Sequence, residues 1–303
     1  MLQNQSMKQQ NQDINFSKGS LPLENPKVLN FVEKSLKEFS FLKFNEYNYC
    51  DFSNATKHWL TSSLYNSIRG LDEFVFDCYS SGTSPAFTSF IGRHINKRIR
   101  YSRNDFALSK IVSNAFSANH CYLEDDKLKE GDALILSMPF SGNGGLIDNY
   151  NNILTVCDSK DIPVMIDGAY FGISFGVDYN LTHKCITDFC TSLSKPYGFG
   201  QIRVGIRFTK EEIDDELTAL TVFDNYNKLG AWLGHRVIEN FNHNWVIDQH
   251  RQIYLDICEE YNLNPTNTLT LGLGGTEYAN KFKRNDYVRV CVSGEINQRL
   301  ATR

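Results

Sequence analysis

Residues 132–167 read DALILSMPFSGNGGLIDNYNNILTVCDSKDIPVMID, and this stretch decides the fold. Two short, nearly continuous apolar runs, DALILSM (132–138) and IPVMID (162–167), flank a segment, LIDNYNNILTVCDSK (146–160), whose apolar residues recur at helical spacing. A strand with no polar alternation is buried on both faces, and two such strands joined through a helix lie parallel in one sheet. The same rhythm extends in both directions. FVFDCYS (74–80), KRIRYS (97–102), NHCYLE (119–124) and CITDFC (185–190) read as further strands, and SPAFTSFIGRHI (84–95) and DFALSKIVSNAF (105–116) as further helices. The expectation is an α/β protein with a three-layer, mostly parallel sheet. After IRVGIRF (202–208) the pattern changes to long amphipathic helices over 210–262, and short strands return in NTLTLGLG (267–274) and DYVRVCVS (286–293).

Composition narrows the function. At 303 residues, 41% hydrophobic and 22% charged, the chain buries a large core and fits one big domain plus a small appendage. A net charge of −4, with the signs interspersed, offers no basic face to nucleic acid, and a small-molecule partner is expected. No apolar run is long enough to cross a membrane. The polar opening MLQNQSMKQQNQD lacks the apolar centre of a signal peptide. The eight cysteines show no CxxC and no pairing with the seven histidines, so free thiols in a reducing, cytoplasmic setting are expected. His243 and His250 are seven apart in an expected helix, and we read them as structural.

Ligands in open α/β sheets bind beyond the carboxyl ends of the strands, so polar residues there are the candidates. In YSSGTSP (79–85), Ser81, Gly82 and Thr83 open a helix and suit an anion, although SGT also reads as an ordinary N-cap. In VMIDGAYFG (164–172), Asp167 ends a strand with Tyr170 three residues on; this is either a helix cap or a buried acid facing a cationic nitrogen. CTSLSKPYGFGQIRVG (190–205) places Ser192, Ser194 and Lys195 after a strand and Arg203 eight residues beyond the lysine. Taken alone Lys195 reads as a helix-start lysine; desolvated, it is a nucleophile toward carbonyls, with Arg203 and Ser192 available to a phosphate.

In their order and spacing these segments resemble the fold type I pyridoxal phosphate enzymes, most closely the class I/II aminotransferases. The resemblance spans nearly the whole chain, and the lysine-to-arginine spacing of eight is its most specific element. It implies pyridoxal 5'-phosphate joined to Lys195 as a Schiff base, with Asp167 keeping the pyridine nitrogen protonated and Tyr170 on the ring 3-oxygen. It further implies a phosphate held by Ser81, Gly82, Thr83, Ser192 and Arg203, and Phe106 stacked on the ring with Tyr101 behind it, a packed core phenylalanine being the equal alternative for Phe106. INFSKGSLPLENPKVLNFVEKSLKEF (14–39) is similar to the family's N-terminal arm and first helix, placing Gly19 near the substrate carboxylate. FNEYNYCDF (44–52) is similar to the segment whose tyrosine reaches a partner subunit's cofactor phosphate, with Tyr49 preferred to Tyr47. DYVRVCVS makes Arg289 the clamp on the substrate α-carboxylate.

The sequence also departs from the family pattern. The family's Asn-Pro-Thr-Gly loop stands here as PFSGNGG (139–145), leaving Asn143 or Ser141 for the ring 3-oxygen, with Asn143 preferred. Only 108 residues follow Lys195, and Arg289 stands 14 from the end, so a reduced C-terminal small domain and lid are expected. The resulting division is an arm and first helix over 1–45, a cofactor-binding domain over 46–215, and a helical connection with the small domain over 216–303. The expected activity is an aminotransferase acting on an amino acid as a homodimer. A lyase, decarboxylase or cyclising synthase on the same frame is the alternative, and a non-catalytic cofactor- or amino-acid-binding regulator ranks below both.

Overall fold

The computed structural model describes residues 14–302, so the polar opening segment lies outside the described residues. Seven strands form the main sheet: β1 (Phe76–Ser80), β2 (Arg98–Tyr101), β3 (His120–Tyr122), β4 (Asp132–Ser137), β5 (Val164–Gly168), β6 (Ile186–Ser192) and β7 (Gly205–Thr209). Their order is β1-β7-β6-β5-β4-β2-β3. β7 runs antiparallel to both neighbours, whereas β6, β5, β4, β2 and β3 are mutually parallel. All six sequence-expected strands appear. β7 lies within the run where the texture changes, and it closes the sheet onto β1. Every residue of β4 and β5 is buried, as the unbroken apolar runs require of strands covered on both faces.

Besides the single helical turn Phe41–Phe44, the α-helices are α1 (Pro26–Lys37), α2 (Tyr49–Thr61), α3 (Ser84–Arg93), α4 (Leu108–Ala115), α5 (Tyr150–Ser159), α6 (Glu216–Val222), α7 (Lys228–Asn240), α8 (His243–Glu260), α9 (Thr276–Phe282) and α10 (Ser293–Ala301). Their starts follow from local chemistry. Asn25, with Pro26 after it, caps α1; Asp215 caps α6 by accepting from Thr218 N at 3.0 Å; Asn242 caps α8 by accepting from Trp245 N at 2.9 Å. In α8, His243 and His250 are both buried and engaged by protein groups: His243 with Ser63 Oγ at 2.8 Å and the Ser174 carbonyl at 3.0 Å, His250 with the Val246 carbonyl and Asn25. Burial pulls both imidazoles down to about 4. These are structural residues.

A second, antiparallel sheet follows the helices, in the order β8 (Asn264–Pro265), β9 (Leu271–Leu273), β11 (Tyr287–Cys291), β10 (Lys283–Arg284). The N-terminal arm joins it, because Ser17 and Cys291 exchange backbone hydrogen bonds of 3.0 and 2.9 Å. That pairing carries Gly19 and Ser20 toward the main sheet's edge. The C-terminal part is short, yet helix α10 does follow the arginine-bearing strand β11. No helix among the described residues is long and apolar enough to cross a membrane, and all eight cysteines are free thiols.

Candidate active site

The carboxyl ends of β1, β2, β4, β5 and β6, together with the start of β7, converge on one edge of the main sheet. A cavity of about 410 Å³ opens there. Lys195, Asp167, Tyr170, Ser192, Arg203 and Arg289 all line it, so residues scattered over more than a hundred positions meet in one place. Thr83, Phe106 and Gly19 line it as well.

Lys195 follows β6 by three residues. Its carbonyl accepts from Leu23 N at 2.8 Å, which ties the N-terminal arm across the site, and its ammonium donates to the Ser20 carbonyl. Burial chiefly draws this amine below the ordinary lysine range; the nearby Arg289 and Arg203 act in the same direction, and the Cys291 sulfur opposes them. The arm is therefore part of the site wall.

Beyond β1 the chain turns through Gly82, with φ +81°, into α3, and Thr83 and Ser84 face the cavity. Glycine is needed at position 82 on two counts. A side chain there is strained at that φ, and its Cβ would run into the Arg203 guanidinium. Arg203, itself at φ +63°, donates to the Ser81 carbonyl at 2.8 Å. Ser81 is exposed and contributes that carbonyl, while Ser84, which was not singled out from the sequence, takes the place in the lining. Helix start, guanidinium and the Ser192 hydroxyl share this part of the cavity lining, a donor set chemically suited to an anion.

Asp167 is buried at the end of β5, where it accepts from Ala169 N at 3.1 Å. Burial pushes its carboxyl up to about 7, and the charge of Asp105 adds to the effect. Asp105 was not foreseen. It is buried, accepts from Ser137 N at 3.0 Å, Phe106 N at 2.7 Å and the Ser137 hydroxyl, and so fastens the loop after β2 to the end of β4. That fastening presents Phe106 to the cavity. Tyr101 does not reach it; its hydroxyl meets His120 Nδ1 at 2.9 Å behind the sheet.

Two expectations need correction. Asn143 does not line the cavity: its side-chain oxygen accepts from Gly145 N at 2.8 Å, stabilising the PFSGNGG turn, and Ser141 lines the cavity instead. Tyr49 is turned into its own chain, where its hydroxyl donates to Asp77 at 2.7 Å, and Asp77 also pairs with Lys57 at 2.6 Å. Tyr47 likewise reaches the Ala231 carbonyl, so neither hydroxyl is presented outward. Sequence spacing alone does not distinguish an inward from an outward tyrosine at a helix start.

Opposite the anion cup, Arg289 of β11 is buried and donates to the Ser141 and Lys18 carbonyls, with no carboxylate partner among the described residues. Arg289 Nε and the hydroxyls of Ser20 and Ser194 are buried without any hydrogen-bond partner. These three groups are free to bond a polar ligand in the cavity, whereas the other buried unpartnered polar atoms of the described residues lie away from its lining. Arg284 of β10 lines the same cavity, another residue that sequence reading passed over.

Residues 111–244 match the model of the aminotransferase class I and II family. Among curated proteins, none is similar enough in sequence to count as a match. Solved structures of the same fold include the histidinol-phosphate aminotransferase from Clostridium acetobutylicum, at 15% identity and TM-score 0.62, covering 96% of this chain and 100% of that one. The PLP-bound C-S lyase from Staphylococcus hominis is similar at 10% identity and TM-score 0.62, covering 94% and 90%. The L-threonine-O-3-phosphate decarboxylase from Porphyromonas gingivalis is similar at 15% identity and TM-score 0.61, covering 95% and 98%. The chain therefore has the fold of the pyridoxal-phosphate-dependent class I and II aminotransferase proteins, and its residues 111–244 carry that family's sequence pattern.

Proposed function

We propose that this protein binds pyridoxal 5'-phosphate on Lys195 and acts at the α-carbon of an amino acid, with transamination as the reaction. One observation carries the reading: a single cavity brings together an amine of lowered basicity, a buried acid and the guanidinium groups of Arg203 and Arg289. The residues fit the cofactor. Thr83, Ser84, Ser192 and Arg203 would hold its phosphate, Phe106 and Tyr170 would flank its ring, and the unpartnered hydroxyl of Ser194 is a free donor beside Lys195.

When bound, the cofactor supplies an aldehyde for amine exchange and a heterocycle that withdraws electrons from the α-carbon. Asp167 holds a proton at the ring nitrogen; the cation placed opposite draws its carboxyl back to the ionised form. Lys195 would take the proton from the substrate α-carbon and return it at the carbon that had been the cofactor aldehyde, a task suited to an amine of lowered basicity. Arg289 fixes the α-carboxylate through its planar fork. The arm over Ser20 and Pro22 limits water access from that side.

A second reading, a lyase or decarboxylase, is supported by the C-S lyase and the decarboxylase, which resemble this fold as closely as the aminotransferase does. Assembly as a homodimer in a reducing compartment belongs to the proposal too, the eight free thiols supporting its second part. The test is direct. Protein purified with the cofactor should absorb in the visible and, after borohydride, show a pyridoxyl adduct on the Lys195 peptide by mass spectrometry. A colourless protein without adduct defeats the proposal. Single turnover with amino acids then gives the pyridoxamine form for transamination, or ammonia or carbon dioxide without it for the second reading.

A further inference from the structure

Four basic side chains line the cavity, Lys195, Arg203, Arg284 and Arg289, against one acidic side chain, Asp167. On the reading above, Lys195 joins the cofactor, Arg203 faces its phosphate and Arg289 takes the α-carboxylate. Arg284 is left without an anion. Its guanidinium makes one protein hydrogen bond, to the Asp105 backbone carbonyl at 3.3 Å, and no ion pair among the described residues. The Asp105 carboxylate attracts Arg284 but does not hydrogen-bond it, its oxygens being occupied by Ser137 and the Phe106 N–H.

Nor is Arg284 a mobile surface arginine. It sits on β10, which pairs with β11 in a tight hairpin, Arg284 opposite Tyr287. The hairpin turn is clamped to the loop after β2: Asn285 donates to the Arg103 carbonyl at 2.7 Å, Asn104 donates to Asp286 at 2.7 Å, and Asp286 N donates to Asn104 at 3.2 Å. Both Arg284 and Arg289 are thus carried into the cavity by one rigid hairpin. Burial lowers the basicity of Arg284 and the neighbouring Arg289 lowers it further, with Tyr170 and the Asp105 charge opposing, and no carboxylate among the described residues hydrogen-bonds either guanidinium. A cation held so is costly unless a ligand brings the opposite charge.

We propose that Arg284 receives a second anionic group, at the far end of the substrate side chain, so that the amino acid handled carries one acid at its α-carbon and another distally. This rests on the reading of Lys195 and Arg289 given above. The distal acid is an oxyanion, either a carboxylate or a phosphate-type group, since a guanidinium fork serves both.

Amine-free probes separate this proposal from the cofactor reading. Calorimetric titration of the cofactor-loaded protein with glutarate, with 3-phosphonopropionate and with the monoanion butyrate reports the anion sites without turnover. Each dianion that fits should bind at least about 10-fold more tightly than butyrate, the range expected of one added charge-assisted contact. R284Q should bring that dianion down to the butyrate level and leave butyrate unchanged, R284K should retain part of the preference, and R289Q should weaken all three probes. Preference for glutarate assigns a carboxylate and preference for 3-phosphonopropionate a phosphate-type group. Equal binding of dianions and butyrate to the wild-type protein overturns the proposal, as does an R284Q variant that weakens butyrate as much as the dianions. The wild-type comparison needs no variant to fold. Should the protein take up no cofactor, the function proposed above fails in the visible spectrum, while the same titration on the bare protein still decides Arg284.

Discussion

The two edges of the main sheet treat buried arginines in opposite ways. At the edge where β2 and β4 begin, Arg98 and Arg100 share Asp132, with contacts of 2.7 and 3.0 Å from Arg98 and 2.8 Å from Arg100. Arg100 also donates to the carbonyls of Cys121, Tyr122 and Lys127, so its charge and its donors are satisfied within the chain. At the edge where the strands end, Arg203, Arg284 and Arg289 donate to backbone carbonyls and, from Arg289, to the Ser141 hydroxyl, with no carboxylate partner among the described residues. The first group closes the fold. The second leaves guanidinium groups without a carboxylate hydrogen bond inside a cavity, an arrangement that makes physical sense where ligands supply the anions.

The largest effect expected from this contrast is on stability at the closed edge. Asp132→Asn leaves two buried guanidinium groups without their shared acid and should cost about 3–5 kcal/mol in urea unfolding, the usual penalty for half of a buried pair. Arg289→Gln removes a charge that has no carboxylate partner and leaves a side chain able to donate to the same carbonyls, so its unfolding free energy should stay within about 1 kcal/mol of wild type. If the two variants lose the same stability, the contrast is wrong.

Asp167 sharpens the comparison with pH. Its carboxyl is held at about 7 in the folded chain against an ordinary 3.8, so the folded form binds the proton more tightly. The resulting stabilisation is complete below the unfolded value and is lost as pH rises from about 4 to 7, a change of about 4 kcal/mol by linkage. Asp167→Asn should flatten that slope in cofactor-free protein while lowering turnover of the loaded protein. Denaturant midpoints at pH 4.5 and 8 check it; a slope that survives the substitution belongs to another group.

Smaller again is Arg203→Gln. Losing one charge-assisted contact should weaken cofactor retention by about 10- to 100-fold, read by fluorescence titration, with stability of the cofactor-free protein nearly unchanged. Unaltered retention would remove Arg203 from the anion cup.

How far all this is visible in the sequence depends on the kind of signal. Strand and helix positions were legible because burial on both faces writes an unbroken apolar run, as in β4 and β5. The placement of Lys195, Asp167 and Arg203 at the ligand-binding edge was legible through order and spacing along the strands, and that of Arg289 through the family resemblance alone. Asp105 and Arg284 left no such mark. Asp105 acts through hydrogen bonds to residues 32 positions away, and Arg284 enters the cavity only because its hairpin is pinned to a loop about 180 positions earlier in the chain. Asn143 was chosen over Ser141 by residue type, but the turn uses the asparagine on its own backbone, a competition local side-chain amides often win.

The smallest expected effect concerns Tyr49, where resemblance and structure disagree. Its hydroxyl is held by Asp77, which Lys57 also neutralises, so it belongs with the internally satisfied groups rather than with the open cavity. Tyr49→Phe removes one hydrogen bond and leaves Asp77 its lysine, so the cost should be about 1 kcal/mol in urea unfolding. Cofactor retention should not change, because nothing that lines the cavity is touched. If retention instead falls 10-fold or more with stability intact, the tyrosine must swing out to a neighbouring subunit when the cofactor binds, and the boundary between closed and open polar groups would shift with assembly.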